Sequence, residues 1–525
     1  MTGTLIQIHY HNRPGGVTAV MRGYAHAFAH GGMGRGTCIT VCAGQPDSID
    51  DDSKVVDVPG CDYQRFQSKS AFSRAVHKLQ SRIFEIITDS NLALPVRVAG
   101  HNLNLGKNPA LSMAFALCAR QCLTERKDLR FFSVVHDFAE EGRCDLMARI
   151  RILRKARVEI RGALFPLLPT MQFAAISQRT ARVLRAAGLD VCYVPNPVFG
   201  PARKPGLRAR DRKSMARKPV VFCPARIISR KNPLEAVALA HVFFSARIVL
   251  GEPGTSAADT EIAGRLDALC ERHGVDAAFI DKCKTTGTQV NKVASYEDLY
   301  NAANVCLTTS VIEGFGYSLH EPWLFNKAVI GRLPCGVAAW DVPCPSALYE
   351  RLLVPLDWID YRALAKKYRH AMLVCYGARA NIATPQDFVR QFERAFVKRR
   401  GIDFGCLDIS TQFAVLDAVC GSQSRTDEWR NAFPGQTACL AAEWKRAIEL
   451  SRREIAVRQK FIAARHGAQI VENCLERLLN GPFSARQTVP AASEKIAHYF
   501  CRVSRFRLLA TPQMPGVKHC CAISA

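Results

Sequence analysis

The sequence predicts an α/β chain built as two facing Rossmann-like domains with a helical extension at the C-terminal end. Three observations carry that prediction. Short apolar segments of strand character alternate with helical patterns through most of the chain. The alternation is interrupted once by a basic run and then begins again. Beyond about residue 385 the strand patterns give way to amphipathic helical ones. Alternating strands and helices imply parallel sheets covered on both faces.

In the first series, residues 5–10 are an apolar strand, followed by a turn at Arg13-Pro14-Gly15-Gly16 and a helical pattern over 17–30. Strand patterns recur at 36–43, 96–99, 130–135, 170–176 and 191–194. Helices are expected over 109–122 and 178–187, the second capped by Ser177 and stopped by Gly188. This gives an N-terminal domain over residues 1–202. Residues 203–218 carry eight basic groups against the single Asp211. Such a run repels itself and is expected to be a solvated linker.

The second series spans 219–384. Strands are expected at 219–226, 246–250, 278–281, 305–309 and 328–331, with helices from Asn232-Pro233 to 243, over 260–273, and over 296–303 behind Ser295. Two such units place a cleft between them, and ligands bind such sheets off the carboxyl ends of the strands. Residues 385–525 form the basic helical extension, clearest over 437–479, where Ala438, Leu440, Ala441, Trp444, Ala447 and Ile448 share a face.

Composition limits the partners. The chain has 525 residues, 48% hydrophobic and 22% charged, with a formal net charge of +25. Sizeable cores are therefore available, and nucleic acid, an anionic membrane surface or phosphorylated small molecules are candidate partners. No recognised nucleic-acid module is present, which makes nucleic acid the weaker candidate. No stretch reaches the roughly 18–20 apolar residues of a membrane span. The first residues have no basic start followed by a long apolar core, so a cytoplasmic protein is expected. The 21 cysteines lack paired metal-binding spacing and are expected to be mostly reduced core residues.

The chemistry concentrates in TTSVIEGFGYSLHEPW, residues 308–323. A strand ends at Thr308–Thr309, and a helix is expected to begin near Gly316. Gly314 and Gly316 permit backbone angles closed to other residues and let a ligand approach the main chain. Free N–H groups at a helix start suit an anion. Glu313 stands before the turn and Glu321 more than one helical turn later. A carboxylate accepts hydroxyl protons from a sugar or ribose diol. An ordinary strand–helix turn with two surface glutamates is the alternative. Arg226 and Lys231 close the first strand of the second series, a place suited to a diphosphate. A solvated basic loop that includes Arg230 is the alternative there. Gly15-Gly16 and His136-Asp137 occupy the corresponding strand ends of the first series.

Together these residues resemble the retaining glycosyltransferases of the GT-B fold, family-4 type. The pattern EGFGYSLHE matches that family's E-x7-E motif. ARIISRKN (225–232), YEDLYNAANV (296–305), PGGV (14–17) and VPNPV (194–198) stand in the family's order. The resemblance covers about residues 4–370. It implies that Arg226 and Lys231 hold the donor diphosphate, and that Glu313 contacts the donor sugar beside backbone N–H groups of Gly314, Phe315 and Gly316. It further implies that Glu321 binds the nucleotide ribose, Gly16 faces the phosphates, and His136 contacts the sugar near its 6-hydroxyl. Donor binding in the family needs no metal or other cofactor. The reaction implied is transfer of a sugar from a nucleotide diphosphate sugar to an acceptor hydroxyl, with retention. The acceptor is left open among glycan, lipid-linked and small molecules. Pro322-Trp323-Leu324-Phe325-Asn326-Lys327 departs from the family's small residues and Gly-x-Pro after the second glutamate. Rivals are a same-fold sugar phosphorylase or nucleotide-sugar epimerase, and a non-enzymatic basic protein. Residues 149–161, RIRILRKARVEIR, fit either a basic helix in peripheral contact with the inner face of an anionic membrane or a half-buried domain helix with a basic outer face.

Overall fold

The computed structural model describes residues 3–30, 36–44, 52–155, 158–200, 218–280, 296–377, 384–482 and 492–509. Most of the predicted basic linker, from 203 to 217, lies outside them, as does the predicted cap Ser295.

The first sheet contains β1 (Thr4–His11), β2 (Thr37–Ala43), β3 (Lys54–Asp57), β4 (Val96–His101), β5 (Leu129–Val135), β6 (Met171–Ala175) and β7 (Val191–Tyr193). Their order is β3-β2-β1-β4-β5-β6-β7, with every neighbour parallel. The second sheet contains β8 (Val220–Cys223), β9 (Arg247–Leu250), β10 (Ala277–Phe279), β11 (Val305–Thr308), β12 (Ala328–Arg332) and β13 (Leu348–Tyr349). Its order, β10-β9-β8-β11-β12-β13, repeats that of the first and is also parallel. These are two Rossmann-like sheets, as the alternation predicted. Each reverses its winding at one point, between β1 and β4 and between β8 and β11, and the crevice outside those strand ends is where such sheets bind ligands.

Local chemistry sets many boundaries. Asn108 caps the helix Pro109–Thr124 by accepting from Ala110 and Leu111, with proline at the first position. Ser177 caps Gln178–Ala186. The central strands are buried on both faces. Leu5, Ile6 and Ile8 of β1 are fully enclosed, as are Val305, Cys306 and Leu307 of β11, which is why they read as continuous apolar runs.

Three expectations are corrected. The helix expected over 149–161 is two helices, Cys144–Lys155 and Arg161–Leu164. Arg151 donates to the carbonyls of Leu373 and Val374, at the end of the helix Tyr361–Tyr376, where a cation meets the negative pole. Arg161 pairs with Glu494 at 3.3 Å. Ile152 is 49% exposed while Leu153 is buried. Among the described residues of this segment, Arg151 and Arg161 are thus engaged by the rest of the chain. No described helix is long and apolar enough to cross a membrane.

The expected helical stretch 437–479 is divided among Pro434–Glu449, Arg452–His466 and Ala468–Asn480. Ser451 and Glu454 form a capping box that starts the second helix, and Gly467 separates it from the third. Trp444 stacks on Phe244, ring centres 4.8 Å apart, but Ile448 is largely exposed.

The segment beyond 385 is also not purely helical. β15 (Val397–Lys398) and β16 (Gly401–Asp403) join β14 (Leu353–Pro355) in a three-stranded antiparallel sheet, β14-β16-β15. Nor is the segment a separate appendage. Arg97 of β4 donates to Leu479, and Arg130 of β5 donates to Gly481. Gln459 reaches the Trp323 carbonyl at 2.9 Å. The tail thus packs on both halves.

Candidate functional site

Gly16, Arg226, Lys231 and Glu313 follow the strands of the two switch points, and His136 follows β5. After β8, residues Arg226 to Lys231 form a loop that ends in a 3-10 turn, Ser229–Lys231. The loop is stitched to the one after β11: Val311 donates to the Arg230 carbonyl at 2.9 Å, and the Thr309 hydroxyl donates to the Lys231 carbonyl at 3.0 Å. Glu313 donates its N–H to Cys335 beyond β12. These bonds fix the Glu313 carboxylate against Lys231 and Arg230. Lys231 donates to one carboxylate oxygen, and Arg230 lies 3.3 Å from the other. Glu313 is 5% exposed. Burial pushes its carboxyl up, but the two cations outweigh burial and hold it below the usual range. Burial also draws the Lys231 ammonium down, against the pull of Glu313.

The turn that follows differs from expectation. Gly316 takes a left-handed φ of +84°, but it opens only a single 3-10 turn, Tyr317–Leu319, and the short helix begins at Glu321 itself. A long helix dipole starting at Gly316 is therefore absent. Among the described residues, no backbone carbonyl accepts from the N–H groups of Gly314, Phe315 or Gly316. The Phe315 ring is turned inward and stacks on His320 at 4.5 Å, with His466 of the tail edge-on at 4.9 Å. Glu321 accepts from Tyr300 at 3.1 Å, and burial raises its carboxyl. The departure at 322–327 is accommodated by burial. Trp323 fills the core and donates to Leu319 at 3.1 Å, while Lys327 donates to the carbonyls of Asn301 and Ala303.

The halves meet at this turn. A Cβ on Gly314 would overlap the His136 carbonyl oxygen across the cleft, so this position requires glycine. Arg226 donates to the Pro14 carbonyl of the opposite half, and Gly16 faces the Tyr317 ring. His136 is 5% exposed, with Nε2 3.3 Å from Nδ1 of His101. Burial brings its pKa down to about 4, so the ring is neutral at pH 7.

The structure thus brings Gly16, His136, Arg226, Lys231, Glu313, Gly314 and Gly316 to one cleft. Phe315 contributes only backbone there, and Glu321 is joined to Tyr300 behind the turn. Sequence reasoning missed Arg230 as a Glu313 partner. It also missed Asp137, which is paired with Arg143 and held below the usual carboxylate range by Arg143, Arg230 and Lys107 against burial. The signal for Asp137 was present, since it follows His136 at a strand end. Arg143 lacked one, because its role depends on a turn beyond the strand. One group with metal-binding spacing occurs among the described residues, His26, His30 and Asp52, all ligand atoms within 4.8 Å. None of the cleft residues belongs to it.

No family model matches the chain. A curated protein from Petrotoga mobilis, mannosylglucosyl-3-phosphoglycerate synthase, is 24% identical over 283 residues, 51% of this chain and 52% of that protein. The chain therefore spans about half the length of the curated relative it matches. Among solved structures, an α,α-trehalose-phosphate synthase (UDP-forming) from Burkholderia xenovorans, in complex with glucose-6-phosphate, matches with a TM-score of 0.49 and 11% identity, over 91% of this chain and all (100%) of that one. Sucrose-phosphate synthase from Thermosynechococcus elongatus matches with a TM-score of 0.46 and 14% identity, over 83% of this chain and 99% of that one.

Proposed function

We propose that the chain is a retaining glycosyltransferase of the GT-B type that moves a sugar from a nucleotide diphosphate sugar to an acceptor hydroxyl. The observation that carries this reading is the buried Glu313 carboxylate, gripped by Lys231 and Arg230 where the Gly314 backbone touches His136 of the opposite half. The name of the Petrotoga mobilis relative, a synthase of a glycosylated phosphoglycerate, supports the same class. In this reading the donor diphosphate lies along Arg226 and Lys231, with Arg230 adding a third cation. Glu313 accepts from donor-sugar hydroxyls, neutral His136 hydrogen-bonds near the 6-hydroxyl, and Glu321 receives the ribose.

No side chain is placed as an attacking nucleophile. The bond between the anomeric carbon and the diphosphate oxygen breaks while the acceptor oxygen bonds the same carbon from the same face. The acceptor's proton passes to the leaving phosphate. Cations that stabilise the departing diphosphate, and the fixed placement of both substrates, then supply the rate enhancement. These cations serve in place of a metal, so activity should survive a chelator. The test is a panel of nucleotide sugars with product detection by mass spectrometry and anomer assignment by NMR. Turnover of no sugar nucleotide, or an inverted product, would overturn the reading.

A further inference from the structure

The winding of the first sheet reverses between β1 and β4, and the two loops at that point carry a group of donors that the transfer reading leaves unused. Arg13 follows β1. Lys107 follows β4, just after Gly106 with its φ of +63°. Between them stands Tyr63, 40% exposed. Its loop is not free to drift. The buried Asn108 side chain donates to the carbonyls of Gly60, Cys61 and Asp62, at 2.7, 3.1 and 2.8 Å, and Gln64 donates to the Lys107 carbonyl at 3.2 Å. The site is thus built before any ligand arrives.

Hydrogen-bond accounting shows what it offers. The Arg13 N–H donates to Nδ1 of His11 at 3.3 Å, which leaves the proton of the neutral ring on Nε2. Burial brings this ring down to about 4, so neutral is its form at pH 7. Nε2 then donates to the Tyr63 hydroxyl at 2.9 Å. Lys107 Nζ donates to the same oxygen at 2.8 Å and lies 4.4 Å from the ring centre. The Tyr63 oxygen already accepts twice, so its own proton points elsewhere. Burial raises that phenol to about 12, so the proton stays.

Lys107 has further N–H groups, and among the described residues no carboxylate pairs with it. Arg13 pairs with Asp62 at 2.6 Å and lies 5.7 Å from the Tyr63 ring, with guanidinium donors to spare. Arg230 of the opposite half is close enough to depress Lys107, as Arg226 is to depress His11. Pro14, next to Arg13, accepts from Arg226 of the opposite half, and Asn104 of the Lys107 loop donates to the Asp137 carbonyl, so both loops border the cleft.

We propose that Lys107, Tyr63 and Arg13 bind the phosphate of a phosphorylated acceptor. This deepens the glycosyl-transfer reading and rests on it. Lys107, the Tyr63 hydroxyl and Arg13, gathered about one ring, offer three donors, which match the three terminal oxygens of a phosphate monoester better than the two of a carboxylate. The site lies on the half opposite the donor-side cations, which is where an acceptor approaches. Burial and the like charge of Arg143 bring the Lys107 ammonium down to about 7 without a ligand. A bound dianion favours the charged form, so binding at pH 8 takes up a proton.

The probes are inorganic phosphate and glucose 6-phosphate, with glucose and acetate as controls at matched ionic strength. Titration calorimetry is run on the full chain in buffers of different ionisation heat. Wild type is expected to bind both phosphates, with proton uptake at pH 8. Tyr63→Phe, which keeps the ring under Lys107, should weaken phosphate about five-fold, and Lys107→Met about ten-fold with the proton uptake lost, since a charge-assisted bond is worth more than a neutral one. Nucleoside diphosphate binding should change in neither variant. Binding of acetate as tight as phosphate would overturn the proposal in favour of a carboxylate acceptor. Unchanged phosphate affinity in both variants would overturn the site. If wild type binds no nucleoside diphosphate, yet phosphate binding persists and is lost in the variants, the transfer reading fails and the phosphate site stands.

Discussion

The two halves of the molecule share one strand order and differ in the charge they leave at their switch points. In the C-terminal half two clusters of buried charge are compensated by ion pairs. Lys231 and Arg230 meet Glu313. Behind the sheet, Arg332 at the end of β12 donates to both Glu235 and Asp403 at 2.6–2.9 Å, with Tyr349 adding a bond to Glu235. In the N-terminal half, Lys107 has no carboxylate partner among the described residues, and three buried histidines, His9, His101 and His136, are kept neutral by burial. One half is held together by paired ions. The N-terminal half also holds buried ion pairs, Asp137 with Arg143 and Glu141 with Arg179, but beside its switch point Lys107 has only the Tyr63 hydroxyl as a side-chain partner among the described residues. An unpaired group is costly to bury, so its persistence there points to a ligand more strongly than a satisfied pair does.

The largest effect is expected at Arg332. Replacement by alanine leaves Glu235 and Asp403 buried together without their cation, and should cost about 3–5 kcal/mol of stability. Chemical denaturation would read this. A loss below about 1 kcal/mol would mean that the compensation described for this half is not structural.

At the site, Glu313→Ala should lower turnover by roughly 10²–10³-fold, the scale of a lost preorganised polar contact. Glu321→Ala should act mainly on donor binding. Initial-rate kinetics of the two variants separate these effects, and near-normal turnover in Glu313→Ala would remove it from the chemistry.

Arg226→Ala should cost about 1.5–3 kcal/mol of nucleoside diphosphate binding, the range for hydrogen bonds to charged groups. Calorimetry with the nucleotide alone checks this. Unchanged affinity would assign Arg226 to the contact with Pro14 and not to the ligand.

The smallest effect is on pH dependence. His136 and His11 are depressed to about 4 and His466 to about 3, all by burial. An unfolded histidine titrates near 6.5, so below that pH the unfolded chain binds protons the folded chain refuses. Stability should therefore fall as pH drops from about 6.5 towards 4. Glu313, held low by its cations, loses its contribution in the same direction. Glu140, raised to about 7 by burial, works the other way between about 7 and 4.5. Urea midpoints at pH 7.5 and 5 should show the net fall, and His136→Asn should reduce it.

Much of this arrangement was legible in the chain. The strand ends carrying Gly16, His136, Arg226 and Glu313 followed from apolar runs terminated by glycine, proline or charge. Parallel strands enclosed on both faces must read that way. The parts that were not legible depend on contacts distant in sequence. Residues 149–161 looked like one helix because periodicity cannot register that Arg151 is called inward by carbonyls of residues 373 and 374. The packing of the tail was not legible because nothing local in 468–480 says that Leu479 and Asn480 receive Arg97.

Sequence by itself determined the alternation, the two sheets, and which residue types stand at which strand ends, because these rest on local periodicity and turn chemistry. Only the tertiary structure decided that Arg230 joins Lys231 on Glu313, and that Gly314 must be glycine because of His136. It also decided that Lys107 and Arg13 both come to the Tyr63 ring. Those facts depend on where two chain reversals and two domains bring side chains together, and hydrogen-bond and charge complementarity across such distances has no local signature.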